Sequence, residues 1–192
     1  NDAKELLRFN DYDILVELIG GESGIAKDIV INALNKGKHV VTANKALISK
    51  YWKLINNLSE NNKCLIKYEA AVAGGIPIIK IFDDFLISNE ISQIYGILNG
   101  TSNYILTKML NTGKNFDEIL KEAQKLGYAE ADPTFDIDGI DTAHKLSILC
   151  SLAFKVDCKL SEIKTEGIRS IDLIDLKLSQ SLACEDKTSI DW

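Results

Sequence analysis

Covalent and metal staples have little material here. The 192 residues include only four cysteines (Cys64, Cys150, Cys158, Cys184), none at metal-ligand spacing. A chain of this size does not need disulfides, so a reducing, cytoplasmic setting is the default expectation. Two histidines, His39 and His144, are too few for a zinc centre of the usual kind. Positive charge is also short: 22 Lys and Arg against 28 Asp and Glu give a net charge of −6 with no compensating basic cluster, which argues against nucleic acid as a partner. No apolar run is long enough to span a membrane, and the polar opening NDAKELLRFND is no signal peptide. Low-complexity tracts and internal repeats are absent as well. What remains is 46% hydrophobic with only two prolines, enough to bury a core in one or two domains.

The order of elements is regular at first. YDILVELIG (12–20) is a short β-rich run stopped by Gly20–Gly21. SGIAKDIVINALNKG carries apolar residues at helical spacing and ends at Gly37. KHVVTAN (38–44) is a second strand, KALISKYWKLINNLSE a second helix and KCLIKYEAAV (63–72) a third strand. Strand, helix, strand, helix, strand implies right-handed crossovers and a parallel sheet. A dinucleotide-binding domain would open on strand, G-x-G-x-x-G and helix, and these residues hold no such loop. The pattern therefore reads as the second half of a doubly wound α/β domain over residues 1–76. From Pro77 the alternation changes to strands such as ISQIYGIL and helices such as FDEILKEAQKLG, which predicts an α+β domain over 77–192.

Four stretches carry chemistry. GYAEADPTFDIDGIDTAHK (127–145) holds five carboxylates, Glu130, Asp132, Asp136, Asp138 and Asp141. Asp141 and Lys145 are four residues apart, on one helical face whose stripe continues through the apolar Ile148 and Leu152. An exposed salt bridge is the usual explanation for such a pair, but the acid-rich approach and the apolar continuation favour a site. In ELIGG and VVTANK, Gly20, Gly21 and Lys45 fall at strand ends, where ligands of doubly wound sheets bind; a turn and a solvated lysine are equally good readings. EAAVAGGIP (69–77) leaves backbone oxygens open between a strand and a Pro-started helix, though a tight turn explains it better. Asn99–Gly100–Thr101–Ser102–Asn103 resembles a turn running into a helix with a hydroxyl cap.

GYAEADPTFDIDGIDTAHKLSIL resembles the signature segment of homoserine dehydrogenases, and VVTANKALI (40–48), YEAAVAGGIPII (68–79) and GILNGTSNYIL (96–106) resemble others of that family in the same order. The similarity runs from about Asp13 to Ile174. It implies a Rossmann-like cofactor half, an α+β substrate and oligomerisation domain, and an NAD- or NADP-dependent oxidoreductase that interconverts L-homoserine and L-aspartate 4-semialdehyde in threonine and methionine biosynthesis. It also implies a homodimer, with a small molecule as substrate. Within that reading Lys145 carries the hydroxyl proton and Asp141 orients it or binds substrate. Glu130 takes the substrate amino group, Asp136 buttresses the set, and Thr101 and Tyr128 border the substrate. Lys45, Gly20, Gly21, Gly100 and Gly127 border the cofactor. Some members hold a sodium ion at the third stretch, which would place its oxygens on Glu69, Val72, Gly74 and Ile76. Asp132 and Asp138 are expected to be solvated or capping, and His144, where the family often has arginine or lysine, is given no role.

The resemblance also implies a piece of a longer enzyme: the family's glycine loop precedes the segment matching Asp13, and ACEDKTSIDW (183–192) does not resemble the family. Two alternatives compete. A semialdehyde dehydrogenase needs a cysteine nucleophile, but Cys150 lies in an apolar helix and Cys64 in a strand. A regulatory module would keep the fold and lose the chemistry, yet Lys45, Glu130, Asp141 and Lys145 are all present.

Overall fold

The computed structural model describes residues 2–185. The side chain of Cys184 and residues 186–192 of the polar tail lie outside that description. Contacts divide the described residues into two compact units, residues 2–98 with 143–164, and residues 99–142 with 165–185.

The first unit is built on a three-stranded parallel sheet in the order β1-β2-β3. Its elements are β1 (Ile14–Glu17), α1 (Ile25–Asn35), β2 (His39–Thr42), α2 (Lys45–Lys50), α3 (Trp52–Asn61) and β3 (Ile66–Lys67). Leu15 pairs with Val40 and Val40 with Ile66, and this row is buried against Ile29, Val30, Ala33 and Leu34 of α1. The alternate row points the other way. Ile14, Val16, Val41 and Leu65 are exposed, so the sheet has helices on one face and an uncovered apolar surface on the other. Because the strands are parallel, the residues after Glu17, Thr42 and Lys67 leave the sheet at one edge.

Several local expectations are corrected. KALISKYWKLINNLSE is two helices, broken at Tyr51 (φ −119°), whose ring lies under the Lys27 ammonium 4.2 Å from its centroid. That contact reaches outside the segment, so its own periodicity could not show it. The third strand shrinks to Ile66–Lys67, because Lys63 takes a left-handed turn (φ 53°) before it and a 3-10 turn, Glu69–Ala71, follows. α4 (Ile78–Lys80) starts after Pro77 and runs into a π turn, Ile81–Phe85. ISQIYGIL (91–98) forms no strand. Tyr95 and Ile97 are 71% and 76% exposed, and alternation makes a strand only where a neighbour completes the ladder.

The second unit is helical among the described residues: α5 (Gly100–Thr112), α6 (Phe116–Lys125), α7 (Thr134–Ile137), the first turn of α8 (Ile140–Phe154) and α9 (Leu173–Glu185). Ile105, Met109, Ile119, Ala123, Ala129 and Ile137 form its core. α6 opens with a capping box in which Asn115 accepts from the Glu118 N–H and Glu118 accepts from the Asn115 N–H. It closes in a Schellman turn: Gly127 (φ 78°) donates to Gln124 O and Tyr128 to Ala123 O.

Candidate active site

In the first unit the strand ends carry one continuous set of hydrogen bonds. Glu17 alternates with Leu15 and so faces inward, where it is 1% exposed. Its Oε1 accepts from the backbone N–H groups of Ile19 (2.7 Å) and Gly20 (3.0 Å), and its Oε2 from the Thr42 hydroxyl (2.6 Å). Thr42 Oγ1 accepts in turn from the Asn44 N–H at 2.9 Å. Asn44 Nδ2 donates to Gly21 O at 2.8 Å, while its Oδ1 caps α2 at the Leu47 N–H, 3.1 Å away. Lys45 is the first residue of α2 and is half-buried. Gly20 and Gly21 take φ of 82° and 83°, and a Cβ on either would meet no atom within 4 Å. Their backbone is open to an approaching ligand, as a nucleotide cofactor requires.

Farther along, Lys145 of α8 is half-buried and its Nζ donates to Leu98 O at 2.8 Å. The neighbouring His144 is buried, with Nδ1 2.6 Å from Ser49 Oγ. A departure that sequence reading left without a role thus ties α8 to α2 within this unit. Ser147 and Ser151, one turn apart on the buried side of α8, hold the segment after it: Ser147 Oγ donates to Cys158 O (2.7 Å) and Ser151 Oγ accepts from the Cys158 N–H (3.1 Å).

In residues 69–77, Glu69 caps the helix that follows, accepting from Ile79 N–H (2.8 Å) and Lys80 N–H (3.0 Å), and Ile76 O accepts from Ile78 N–H. Val72 is buried and Gly74 exposed with φ 60°. No cluster of three or more His, Cys, Asp and Glu side chains suited to a metal occurs among the described residues.

The second unit holds the carboxylates. Asn99 is their organiser. Its Oδ1 caps α5 at the Ser102 N–H (2.8 Å), and its Nδ2 donates to both Asp136 Oδ1 (2.8 Å) and Asp141 Oδ2 (2.9 Å). The cap is therefore a carboxamide rather than the expected hydroxyl. The Ser102 hydroxyl donates to Asp136 O instead, at 3.0 Å. Asp141 is 3% exposed. Thr101 Oγ1 donates to Tyr128 O at 2.8 Å, and the Tyr128 ring sits 4.8 Å from that of Tyr104. Gly100 opens α5 with room for a Cβ. Glu130 is exposed, and its segment is held by Gln124 Nε2 donating to the Glu130 and Ala131 carbonyls. Asp132 accepts from the Thr134 N–H, and the Thr134 hydroxyl, together with that N–H, holds its carboxyl below the usual range. Asp138 receives Arg169 Nε at 2.6 Å. Asn99 and Glu17 are the residues sequence reading missed. The alternation with Leu15 marks Glu17 as inward, but the link from Asn99 to Asp136 and Asp141 spans 37 and 42 residues and leaves no local trace.

No described cysteine is prepared for nucleophilic attack. Burial pushes the Cys64, Cys150 and Cys158 thiols up from their ordinary value, opposite to what a reactive thiolate needs.

A parallel sheet with helical crossovers and ligand-accessible strand ends defines this as a Rossmann-like α/β protein. Residues 77–189 match the family model described as homoserine dehydrogenase, and residues 1–69 match the one described as homoserine dehydrogenase, NAD binding domain. The chain belongs to the homoserine dehydrogenase family. It is 50% identical to the homoserine dehydrogenase of Neisseria gonorrhoeae over 94% of its own length and 41% of that protein. With the enzyme of Pseudomonas aeruginosa it shares 47% identity over 90% of the chain and 39% of the relative. Among solved structures, the homoserine dehydrogenase of Thiobacillus denitrificans superposes with a TM-score of 0.86 at 48% identity, covering 94% of this chain and 41% of that one. A hyperthermophilic archaeal homoserine dehydrogenase in complex with NADPH gives 0.79 at 33% identity over 90% and 53%. The chain thus spans less than half the length of these curated relatives.

Proposed function

We propose that the enzyme containing this chain oxidises L-homoserine to L-aspartate 4-semialdehyde, and reduces it back, with NADP or NAD, in threonine and methionine biosynthesis. Residues 1–76 then form the cofactor half and 77–192 the substrate half of a cytoplasmic homodimer. The observation that carries the reading is the placement of Lys145, half-buried on a long helix with Nζ aimed at Leu98 O. An ammonium has three donors, and anchoring one of them to a carbonyl sets the direction of the group.

When bound, the nicotinamide cofactor accepts or returns the hydride. The open backbone of Gly20 and Gly21 fits it, with Lys45, Gly100 and Gly127 completing its border. Lys145 takes the proton of the substrate hydroxyl in oxidation and returns it in reduction. Asp141 directs that lysine or binds substrate, and Asp136, joined to it through Asn99, buttresses it. Glu130 receives the substrate ammonium, beside Thr101 and Tyr128. A sodium ion at Glu69, Val72, Gly74 and Ile76 would share Glu69 and Ile76 with the hydrogen bonds those oxygens already accept. Activity titrated with sodium against potassium tests it.

Kinetics of three variants of the full-length enzyme test the main reading. Lys145→Ala lowers kcat by about 10²–10⁴-fold with little change in cofactor affinity. Lys45→Ala weakens cofactor or substrate binding as well as turnover. Glu130→Ala mainly raises KM for homoserine. Near-normal kcat for Lys145→Ala across pH 7 to 9 refutes the assignment and makes Lys45 the leading proton carrier.

A further inference from the structure

A carboxylate with almost no exposure is costly inside a sheet unless donors surround it. Glu17 has three, and they come from two different strand ends: Ile19 N–H and Gly20 N–H after β1, and the hydroxyl of Thr42, the last residue of β2. An apolar residue would pack the inner row of the sheet as Leu15, Val40 and Ile66 do. It would leave two N–H groups of the glycine turn without this acceptor. The chain does not end at Thr42. Its oxygen receives Asn44 N–H, and Asn44 returns to the turn through Gly21 O while its Oδ1 starts α2 one residue before Lys45. The result is a closed circuit: Glu17 to Thr42, Thr42 to Asn44, Asn44 to Gly21, and the turn back to Glu17. Gly20 and Gly21 have left-handed backbones with open space beside them, so no packed side chain dictates where their peptide groups point. The hydrogen bonds of this circuit do.

We propose that Glu17 is a positioning residue for cofactor binding, which sets the Gly20–Gly21 peptides and the Asn44–Lys45 helix start in one fixed geometry through Thr42 and Asn44. It touches no ligand itself. The inference rests on the nicotinamide reading given above, and it adds that part of the affinity for the cofactor is stored in a buried side chain behind the binding edge. Directionality makes the circuit testable. The Thr42 hydroxyl donates to Glu17 and accepts from Asn44, so a glutamine at position 17 can still serve the turn through its oxygen. Its amide, however, meets Thr42 with donors where an acceptor stood. Thr42→Val removes the hydroxyl at nearly constant shape, and Thr42→Ser keeps it.

The experiment uses the full-length enzyme, with NADPH and NADH titrated by fluorescence and steady-state kinetics run alongside unfolding midpoints. Glu17→Gln and Thr42→Val each raise the dissociation constant of the preferred cofactor about ten-fold, the scale of one good hydrogen bond. At saturating cofactor, kcat and the KM for homoserine change less than the dissociation constant does, as expected when the loss falls mainly on ground-state cofactor binding. Thr42→Ser restores the wild-type dissociation constant. The double variant Glu17→Gln/Thr42→Val is no weaker than the worse single one, because both break the same circuit. Cofactor affinity unchanged in folded Glu17→Gln and Thr42→Val, in an enzyme whose wild type oxidises homoserine, overturns the positioning role alone. Equal losses for Thr42→Ser and Thr42→Val, or a fall in kcat without a change in affinity, overturn it too. If Glu17→Gln does not fold, the Thr42 pair decides. A wild-type enzyme that neither binds a nicotinamide cofactor nor oxidises homoserine removes the functional reading and this inference together.

Discussion

Gly167 leaves no room for a methyl group. A Cβ there would stand 2.9 Å from Ile137 O and 3.0 Å from Asp138 Cα, both backbone atoms that cannot swing aside. The next residue pins the same crossing, since Ile168 N–H donates to Ile137 O at 2.8 Å. Gly167→Ala therefore destabilises the second unit by about 1–3 kcal/mol, as overpacking does, and a denaturant midpoint equal to wild type would refute this. Gly20→Ala has open space and only its left-handed backbone against it, so its cost is about 1 kcal/mol. Thiol chemistry gives a second check on single residues. With the Cys64, Cys150 and Cys158 thiols pushed up by burial, alkylation by iodoacetamide at pH 7.5 is slower at each than at a small free thiol, because only the thiolate reacts. Rates rise with pH and stay below those of the free thiol up to the latter's own pKa. Fast labelling of Cys150 at neutral pH would reopen a nucleophilic role. The place of Cys150 in an apolar helix was readable from its neighbours. The constraint on Gly167 was not, because the atoms that would clash with a Cβ belong to residues some thirty positions earlier.

Among the elements, those carried by their own period were the legible ones. β1, α1, β2 and α6 fall where alternation, helical spacing and the stop at Gly37 put them. Elements that need a partner were not. ISQIYGIL alternates well enough, yet a strand is a property of two chains in register, and residues 91–98 are not paired. The start of α5 was half legible. The run Asn99–Gly100–Thr101–Ser102 announces a cap, but the same carboxamide also donates to Asp136 and Asp141, which no local pattern encodes. Two substitutions separate these duties. Asn99→Ser keeps a capping oxygen and loses the donors to both carboxylates, while Asn99→Ala loses the cap as well. The cap is worth about 1 kcal/mol, and leaving buried Asp141 without this donor costs about 1–3 kcal/mol. Stability should fall in the order wild type, Asn99→Ser, Asn99→Ala, read as unfolding midpoints. If Asn99→Ser matches wild type, the bridge to the aspartates contributes nothing and Asn99 is only a cap.

Across the whole chain, the division of labour was the easiest property to foresee and the hardest to complete. Four family-like stretches in order indicated the family, and its two family models match residues 1–69 and 77–189. On the proposed reading the strand ends offer Gly20, Gly21 and Lys45 to a cofactor, yet the sequence contains no G-x-G-x-x-G motif, whose turn would cradle a pyrophosphate with its N–H groups. The sheet also presents Ile14, Val16, Val41 and Leu65 uncovered on one face, whereas parallel sheets are ordinarily covered on both. On that reading, residues 1–192 by themselves supply part of a binding edge and no glycine-rich anion site. They should bind NADPH with a dissociation constant above about 100 μM, a loss of about 2.7 kcal/mol or more against a site of about 1 μM affinity. Fluorescence titration of the isolated chain checks this, with its circular dichroism showing first that it is folded. Saturable binding in the low micromolar range would mean that Gly20, Gly21 and Lys45 suffice, and that the glycine-rich turn is not where most of the affinity lies.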